Sequence, residues 1–214
     1  MPILRRTPGS RAEPRLPCMR RFRIPRGTSV KFRGFVAVDL LPGDRLLSLA
    51  HDLGTSGADL KLVRMDQLHL TLKFLGDTEE GLTPEIVASI AEACRGIEPF
   101  VVRLQGTGAF PSLSRINVIW VGILGGEPLG RIAVSLDASL DALGFPRENR
   151  PWSPHATLAR AKSGRGLDRV REILETYRDE AFGDQRIDRV RLKKSVLTPT
   201  GPVYSTIEEV PLAR

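Results

Sequence analysis

Two four-residue stretches, His69-Leu-Thr-Leu72 and His155-Ala-Thr-Leu158, share the pattern H-x-T-x and decide how this chain folds. Side chains alternate along a β-strand, so in each stretch the histidine and the threonine lie on one face and the apolar residues on the other. A polar pair on one face of an otherwise apolar strand is typical of a strand that lines a cleft. Because two of the 3 histidines lie in this pattern, we expect the two strands to form one site.

Each motif is preceded by one strand and one long amphipathic helix, which indicates an internal duplication. The two pairs are predicted at 35–38 and 42–53, and at 116–124 and 129–143. Strands and helices that do not alternate strictly favour an α+β fold. We therefore predict a bilobal, duplicated fold in which two mainly antiparallel sheets face a central cleft, with the helices on the outside.

The rest of the chain is assigned by hydrophobic periodicity and by Gly and Pro punctuation. Further strands are predicted at 60–63, 68–75, 99–105, 153–160, 186–197 and 203–210, and further helices at 83–95 and 167–177. In the first of these helices Thr83 is the expected N-cap, with Pro84 at the first helical position. The buried positions expected for that helix are Ile86, Val87, Ile90, Ala91 and Cys94.

The positive charge lies at one end of the chain. Residues 1–33 hold ten basic residues and one acidic residue, a net charge of +9, so the rest of the chain carries −2 of the total +7. We predict a disordered basic Pro/Arg-rich tail over 1–32 and a single bilobal domain over 33–214. The tail has three explanations: an RNA-tethering arm, an Arg-rich targeting peptide, or a true start at Val30 or Met19.

Composition excludes several classes of protein. The longest apolar run, about Ile116 to Leu124, is far shorter than a membrane span. The 2 cysteines, Cys18 and Cys94, cannot form a disulfide framework or a four-cysteine zinc site. We expect a cytoplasmic monomer.

Two imidazoles and two hydroxyls across a groove suit a particular chemistry. Close histidines repel each other as cations, so one stays neutral while the other is protonated, which provides a base and an acid. Threonine hydroxyls donate to phosphate oxygens and stabilise charge that develops in the transition state. The pattern predicts metal-free phosphodiester chemistry.

The chain resembles the two-histidine phosphoesterase superfamily, specifically the RNA 2′,3′-cyclic phosphodiesterases, also called 2′-5′ RNA ligases. Besides both motifs, the segments that carry the resemblance are 33–39, 73–77, 106–111, 118–122, 159–160, 195–197 and 201–204. The resemblance implies hydrolysis of RNA 2′,3′-cyclic phosphate ends to 2′-phosphates, and ligation of tRNA halves through a 2′-5′ bond. It makes His69 the proton donor and His155 the proton acceptor, with Thr71 and Thr157 on the phosphate. It implies no metal, cofactor or nucleoside triphosphate.

Four further residues are weaker candidates. Lys73 shares the odd-numbered face with the first motif and is either a phosphate ligand or a solvated lysine. Ideal alternation places Arg160 opposite His155, so it reaches a phosphate only if the strand ends or bulges. Trp152 and Phe110, each expected in a loop, either stack on a terminal base or pack in the core, and core packing is preferred for Phe110.

Two other functions remain open. Three histidines and water can form a catalytic zinc site, which would need His51, expected to be structural, to join His69 and His155. The other is a non-catalytic protein that binds RNA ends or nucleotides in the same groove.

Overall fold

Antiparallel strands form most of the molecule. The computed structural model describes residues 30–199 and 201–213. Within them the strands are β1 Lys31–Asp39, β2 Leu60–Leu62, β3 His69–Glu79, β4 Phe100–Ser112, β5 Arg115–Leu124, β6 His155–Ala161, β7 Ala181–Ile187, β8 Arg189–Thr198 and β9 Gly201–Pro211. The helices are α1 Asp44–Thr55, α2 Thr83–Cys94, α3 Glu127–Asp141 and α4 Leu167–Thr176, and short 3₁₀ turns lie at Met65–Gln67 and Glu80–Leu82.

The strands form one curved sheet in the order β7-β4-β5-β6-β3-β1-β8-β9, with β2 added to β6. We call β1, β3, β8 and β9 the first lobe, and the other five strands the second lobe. The lobes join where Leu70 of β3 pairs with Ala156 of β6. The predicted α+β architecture is confirmed, and the two motif strands are the innermost strands of the two lobes.

The helices pack beside the sheet in two pairs. Helices α2 and α3 pack together and against β3, β8 and β9, whereas α1 and α4 pack together and against β2, β4 and β7. Helix α1 and strand β2 come early in the chain yet belong with the second lobe, and α3 comes late yet lies against β3. Because each lobe takes segments from both halves of the sequence, the buried apolar residues form one continuous core.

Local sequence accounts for the helices, with two corrections. The predicted stripe of α3 is buried from Leu129 to Leu140. In α2, however, Thr83 is the first helical residue and not the N-cap, because the preceding 3₁₀ turn already brings the chain into the helix. Ala93, not Ala91, completes the buried face of α2.

Strand β7 was missed as an element of its own. Only Phe182 and Ile187 of its seven residues are buried, because among the described strands β7 lies at the edge of the sheet and pairs with β4 alone. Such a strand lacks a clear period of two. Residues 1–29 of the predicted tail lie outside the described residues. None of the helices in the described part of the chain is long and apolar enough to span a membrane.

Candidate active site

The two motifs lie side by side at the centre of the sheet. Leu70 and Ala156, the second residue of each motif, face each other in antiparallel register. This register places His69 across from Thr157 and Thr71 across from His155. All four side chains are half-buried, and they line one cavity of about 390 Å³. Folding therefore brings together the four residues that the sequence singled out.

Both histidine rings are held in the same way. Nδ1 of His69 lies 2.8 Å from the carbonyl oxygen of Gln67, and Nδ1 of His155 lies 2.7 Å from that of Ser153. A carbonyl oxygen only accepts hydrogen bonds, so each Nδ1 carries a hydrogen. Within residues 30–199 and 201–213, neither Nε2 hydrogen-bonds to the protein. In each ring Nε2 is thus the atom that can exchange a proton in the cleft.

Aromatic rings fix the orientation of both imidazoles. The Tyr204 ring meets His69 edge-on, with centroids 4.9 Å apart, and Phe35 lies 5.0 Å from the same imidazole. Phe110 meets His155 edge-on, also at 4.9 Å. Sequence reasoning did not assign Phe35 or Tyr204 to the site, because strand alternation shows which face a residue occupies but not which strand lies beside it.

Burial and a nearby cluster of charged side chains determine the electrostatic environment of His69. Asp39 is the register partner of His69; its carboxylate accepts a hydrogen bond from the buried Lys193 and pairs with Arg191 at 3.3 Å. Burial lowers the pKa of His69, the hydrogen bond to Gln67 opposes this, the charge of Lys193 lowers it further and that of Asp39 raises it. The net effect favours the neutral imidazole. Asp39 and Lys193 were not predicted as site residues from the sequence.

A β-bulge occurs at the same position of both motif strands. The register of β3 against β1 skips Leu72, and that of β6 against β5 skips Leu158. Each skipped residue is the fourth of its motif. An extra residue reverses the alternation of side chains beyond it. As a result the Lys73 side chain is only 2% exposed and borders the cavity from the protein interior. Arg160, in contrast, is exposed where it lines the cavity.

The Lys73 ammonium is hydrogen-bonded within the protein. Its ammonium donates to Oδ1 of Asp137 on α3 and to the carbonyl oxygen of Pro146, both at 2.6 Å. Lys73 is therefore not a solvated lysine, and its charge is paired with Asp137 instead of being free for a phosphate. Arg160 was expected to face the histidine side only if its strand ended or bulged, and β6 does bulge at Leu158.

The loop between α3 and β6 forms one wall of the cavity. Trp152 in this loop is half-buried and donates from Nε1 to the carbonyl oxygen of Thr71 at 3.1 Å. Phe110 lies within β4, so its predicted place in a loop is wrong. It is half-buried and packs against Trp120 as well as His155. Both rings combine contact with the protein and a place in the cavity lining.

His51 lies apart from the two motifs. It is exposed on α1, a helix that packs against α4, β2 and β7. Among the described residues, no group of three or more His, Cys, Asp or Glu side chains is arranged to hold a metal ion.

The chain is similar to known proteins over most of its length. The model of the 2′-5′ RNA ligase superfamily matches residues 56–195. An RNA 2′,3′-cyclic phosphodiesterase of Methanothermobacter thermautotrophicus is 36% identical over 181 residues, 84% of this chain and 98% of the relative. The crystal structure of TT0787 from Thermus thermophilus has a TM-score of 0.66 at 31% identity and covers 84% of this chain and 97% of its own. Escherichia coli LigT with 3′-AMP has a TM-score of 0.66 at 21% identity, covering 86% and 100%, and shares the fold.

Proposed function

This chain belongs to the 2′-5′ RNA ligase superfamily, and on that premise we propose that its cleft hydrolyses RNA 2′,3′-cyclic phosphate ends to 2′-phosphomonoesters. The relative from Methanothermobacter is named for this substrate. One observation carries the proposal for this chain: the pairing of Leu70 with Ala156, which sets two histidines with free Nε2 atoms beside two threonines.

The reaction needs one proton removed and one proton supplied. Nε2 of His155 takes a proton from water, whose oxygen attacks the phosphorus while the bond from phosphorus to the 3′-oxygen breaks. Nε2 of His69 gives its proton to the departing 3′-oxygen. The two rings end with their protonation states exchanged, and the phosphate stays on the 2′-oxygen. This division of roles follows the family resemblance.

The threonines and Arg160 hold the phosphate. In the part of the chain that the structure describes, neither the Thr71 nor the Thr157 hydroxyl hydrogen-bonds to a protein atom, so both can donate to non-bridging phosphate oxygens. Negative charge grows on these oxygens in the transition state, where such donors stabilise it most. Arg160 forms no ion pair among the same residues and offers two parallel N–H groups to the phosphate.

The protonation of His69 depends on the substrate. Burial lowers the pKa of this ring, whereas a general acid must begin protonated. A cyclic phosphodiester carries one negative charge, which favours an imidazolium beside it. Substrate binding thus raises the pKa of His69 and converts it to the acid form.

The same geometry supports ligation. If a 5′-hydroxyl replaces water, His155 removes its proton, the 5′-oxygen attacks the phosphorus, and the 3′-oxygen leaves with the proton from His69. The product is a 2′-5′ phosphodiester, and its cleavage follows the reverse path. Ends of tRNA halves are substrates of the required chemistry.

The test is turnover of a short RNA ending in a 2′,3′-cyclic phosphate, with EDTA present. We expect the 2′-phosphate as product, with kcat lower by about 10²- to 10⁴-fold in His69→Ala and His155→Ala, the usual contribution of a general acid or base. His51→Ala is the matched control and keeps wild-type kcat. A folded wild-type protein that binds this RNA without turnover would favour a non-catalytic binder, and activity lost only in EDTA would favour a metal enzyme.

A further inference from the structure

Three residues form a row across the first lobe beside His69. Arg33 of β1 pairs with Ser195 of β8, and Ser195 pairs with Tyr204 of β9. Paired residues in neighbouring strands point to the same face of a sheet, and the Tyr204 ring packs against His69, so this is the cleft face. The small Ser195 lies between two long side chains. We call this row of three residues, which begins beside His69, the trough.

The trough is positively charged. Arg33 is exposed, and its charge and that of Arg160 from the second lobe both lower the pKa of Tyr204, which burial raises. Tyr204 thus lies within electrostatic reach of a cation from each lobe. Within the described residues, neither arginine forms an ion pair, although Asp77 is the register partner of Arg33 on its other side.

Two other cations on the same face, Lys193 and Arg191, are already paired. Lys193 and Arg191 bind Asp39, and Arg191 also pairs with Glu209 at 2.7 Å. The trough differs, since in residues 30–199 and 201–213 the hydroxyls of Ser195 and Tyr204 also have no hydrogen-bond partner. A guanidinium with two uncommitted hydroxyls is a donor set that suits a phosphodiester.

We propose that Arg33, Ser195 and Tyr204 form a subsite for the phosphodiester that joins the terminal nucleotide of the substrate to the nucleotide before it. This inference rests on the proposed function, because water attacking from the His155 side leaves the ribose on the His69 side, next to the trough. The preferred substrate is then an oligonucleotide with a cyclic end, and a 2′,3′-cyclic mononucleotide, which lacks this phosphodiester, is a poorer one.

The test compares a dinucleotide and a mononucleotide that carry the same 2′,3′-cyclic terminal nucleoside. We expect the ratio of their kcat/KM values to exceed about ten in the wild type and to fall by about tenfold or more in Arg33→Gln, the effect of one charge-assisted hydrogen bond. Ser195→Asp, which sets a negative charge in the trough, lowers the ratio further. Arg186→Gln, at an exposed arginine on β7, is the matched control and keeps the wild-type ratio.

Salt provides a second measurement. The dinucleotide loses affinity with salt more steeply than the mononucleotide, and Arg33→Gln removes the difference, because a phosphate contact releases counterions. A wild-type ratio near one, or equal ratios in Arg33→Gln and Arg186→Gln, overturns the subsite. A wild type that turns over neither compound instead overturns the proposed function, so the two failures are distinguishable.

Discussion

Replacing Asp137 by Ala tests the buried ion pair that sequence analysis did not predict. In the native protein the Lys73 side chain is 1% exposed and that of Asp137 is 25% exposed, with 2.6 Å between Nζ and Oδ1. Removing one partner of a buried pair costs about 3–5 kcal/mol, because the other charge stays buried. Since Asp137 is partly solvated and Lys73 keeps the Pro146 carbonyl oxygen, we expect a loss of about 2–3 kcal/mol in the free energy of unfolding.

The reciprocal change is expected to cost less. Lys73→Met removes the buried charge and keeps the apolar stem, while the Asp137 carboxylate keeps water and its hydrogen bond from the Glu148 backbone N–H. Replacing a buried charge by an apolar side chain of similar volume is often nearly neutral, so we expect about 1 kcal/mol or less. The double variant is then more stable than Asp137→Ala alone.

Urea unfolding with matched m-values measures these differences. The control is Asp184→Ala, which removes the Arg103–Asp184 ion pair, where both side chains are about half exposed; such pairs contribute about 1 kcal/mol or less. Two results would contradict a buried, destabilising charge on Lys73. One is that Asp137→Ala costs no more than this control, and the other is that the double variant is less stable than Asp137→Ala alone.

Three further predictions concern the cleft. Burial lowers the pKa of His69, and the rate falls as this acid loses its proton, so the alkaline limb of kcat/KM lies below pH 6.5, the ordinary pKa of histidine. The alkaline limb of kcat lies at higher pH, because bound substrate raises this pKa. Limbs that coincide would contradict this. Lys193→Met, which removes a charge that lowers this pKa, moves the kcat/KM limb to higher pH, and an unmoved limb would count against the contact. Gly108→Ala sets a Cβ far inside van der Waals contact with the Trp120 ring and costs about 1–3 kcal/mol in urea unfolding by overpacking, whereas Gly81→Ala, with open space around it, costs much less.

The two motif strands have the same bulge but carry different residues after it. In β3 the residue after the bulge, Lys73, points inward, and the next one, Phe74, lies on the cleft side. In β6 the corresponding residues are Ala159 and Arg160. The first lobe thus has an apolar residue where the second has a cation, and its histidine is flanked by Phe35 and Tyr204. Identical motifs in unlike surroundings are a physical basis for giving the two histidines different roles.

The sequence by itself determined most of the elements, though not β7, and which residues of each motif share a face. Period-two alternation depends only on neighbouring residues, so it identified His69, Thr71, His155 and Thr157 as cleft-facing residues, and helical periodicity located all four helices. These features are local. An apolar stripe is buried wherever its helix packs, and a polar pair on an apolar strand points away from the core.

Only the tertiary structure decided which residues surround the motifs. The bulges depend on pairing with β1 and β5. Alternation alone therefore did not predict that Lys73 is buried against Asp137 or that Arg160 lines the cavity. Tyr204 reaches His69 from a strand 135 positions later in the chain. Such contacts are set by strand order and register, which arise from the packing of distant segments and are not encoded in the spacing of nearby residues.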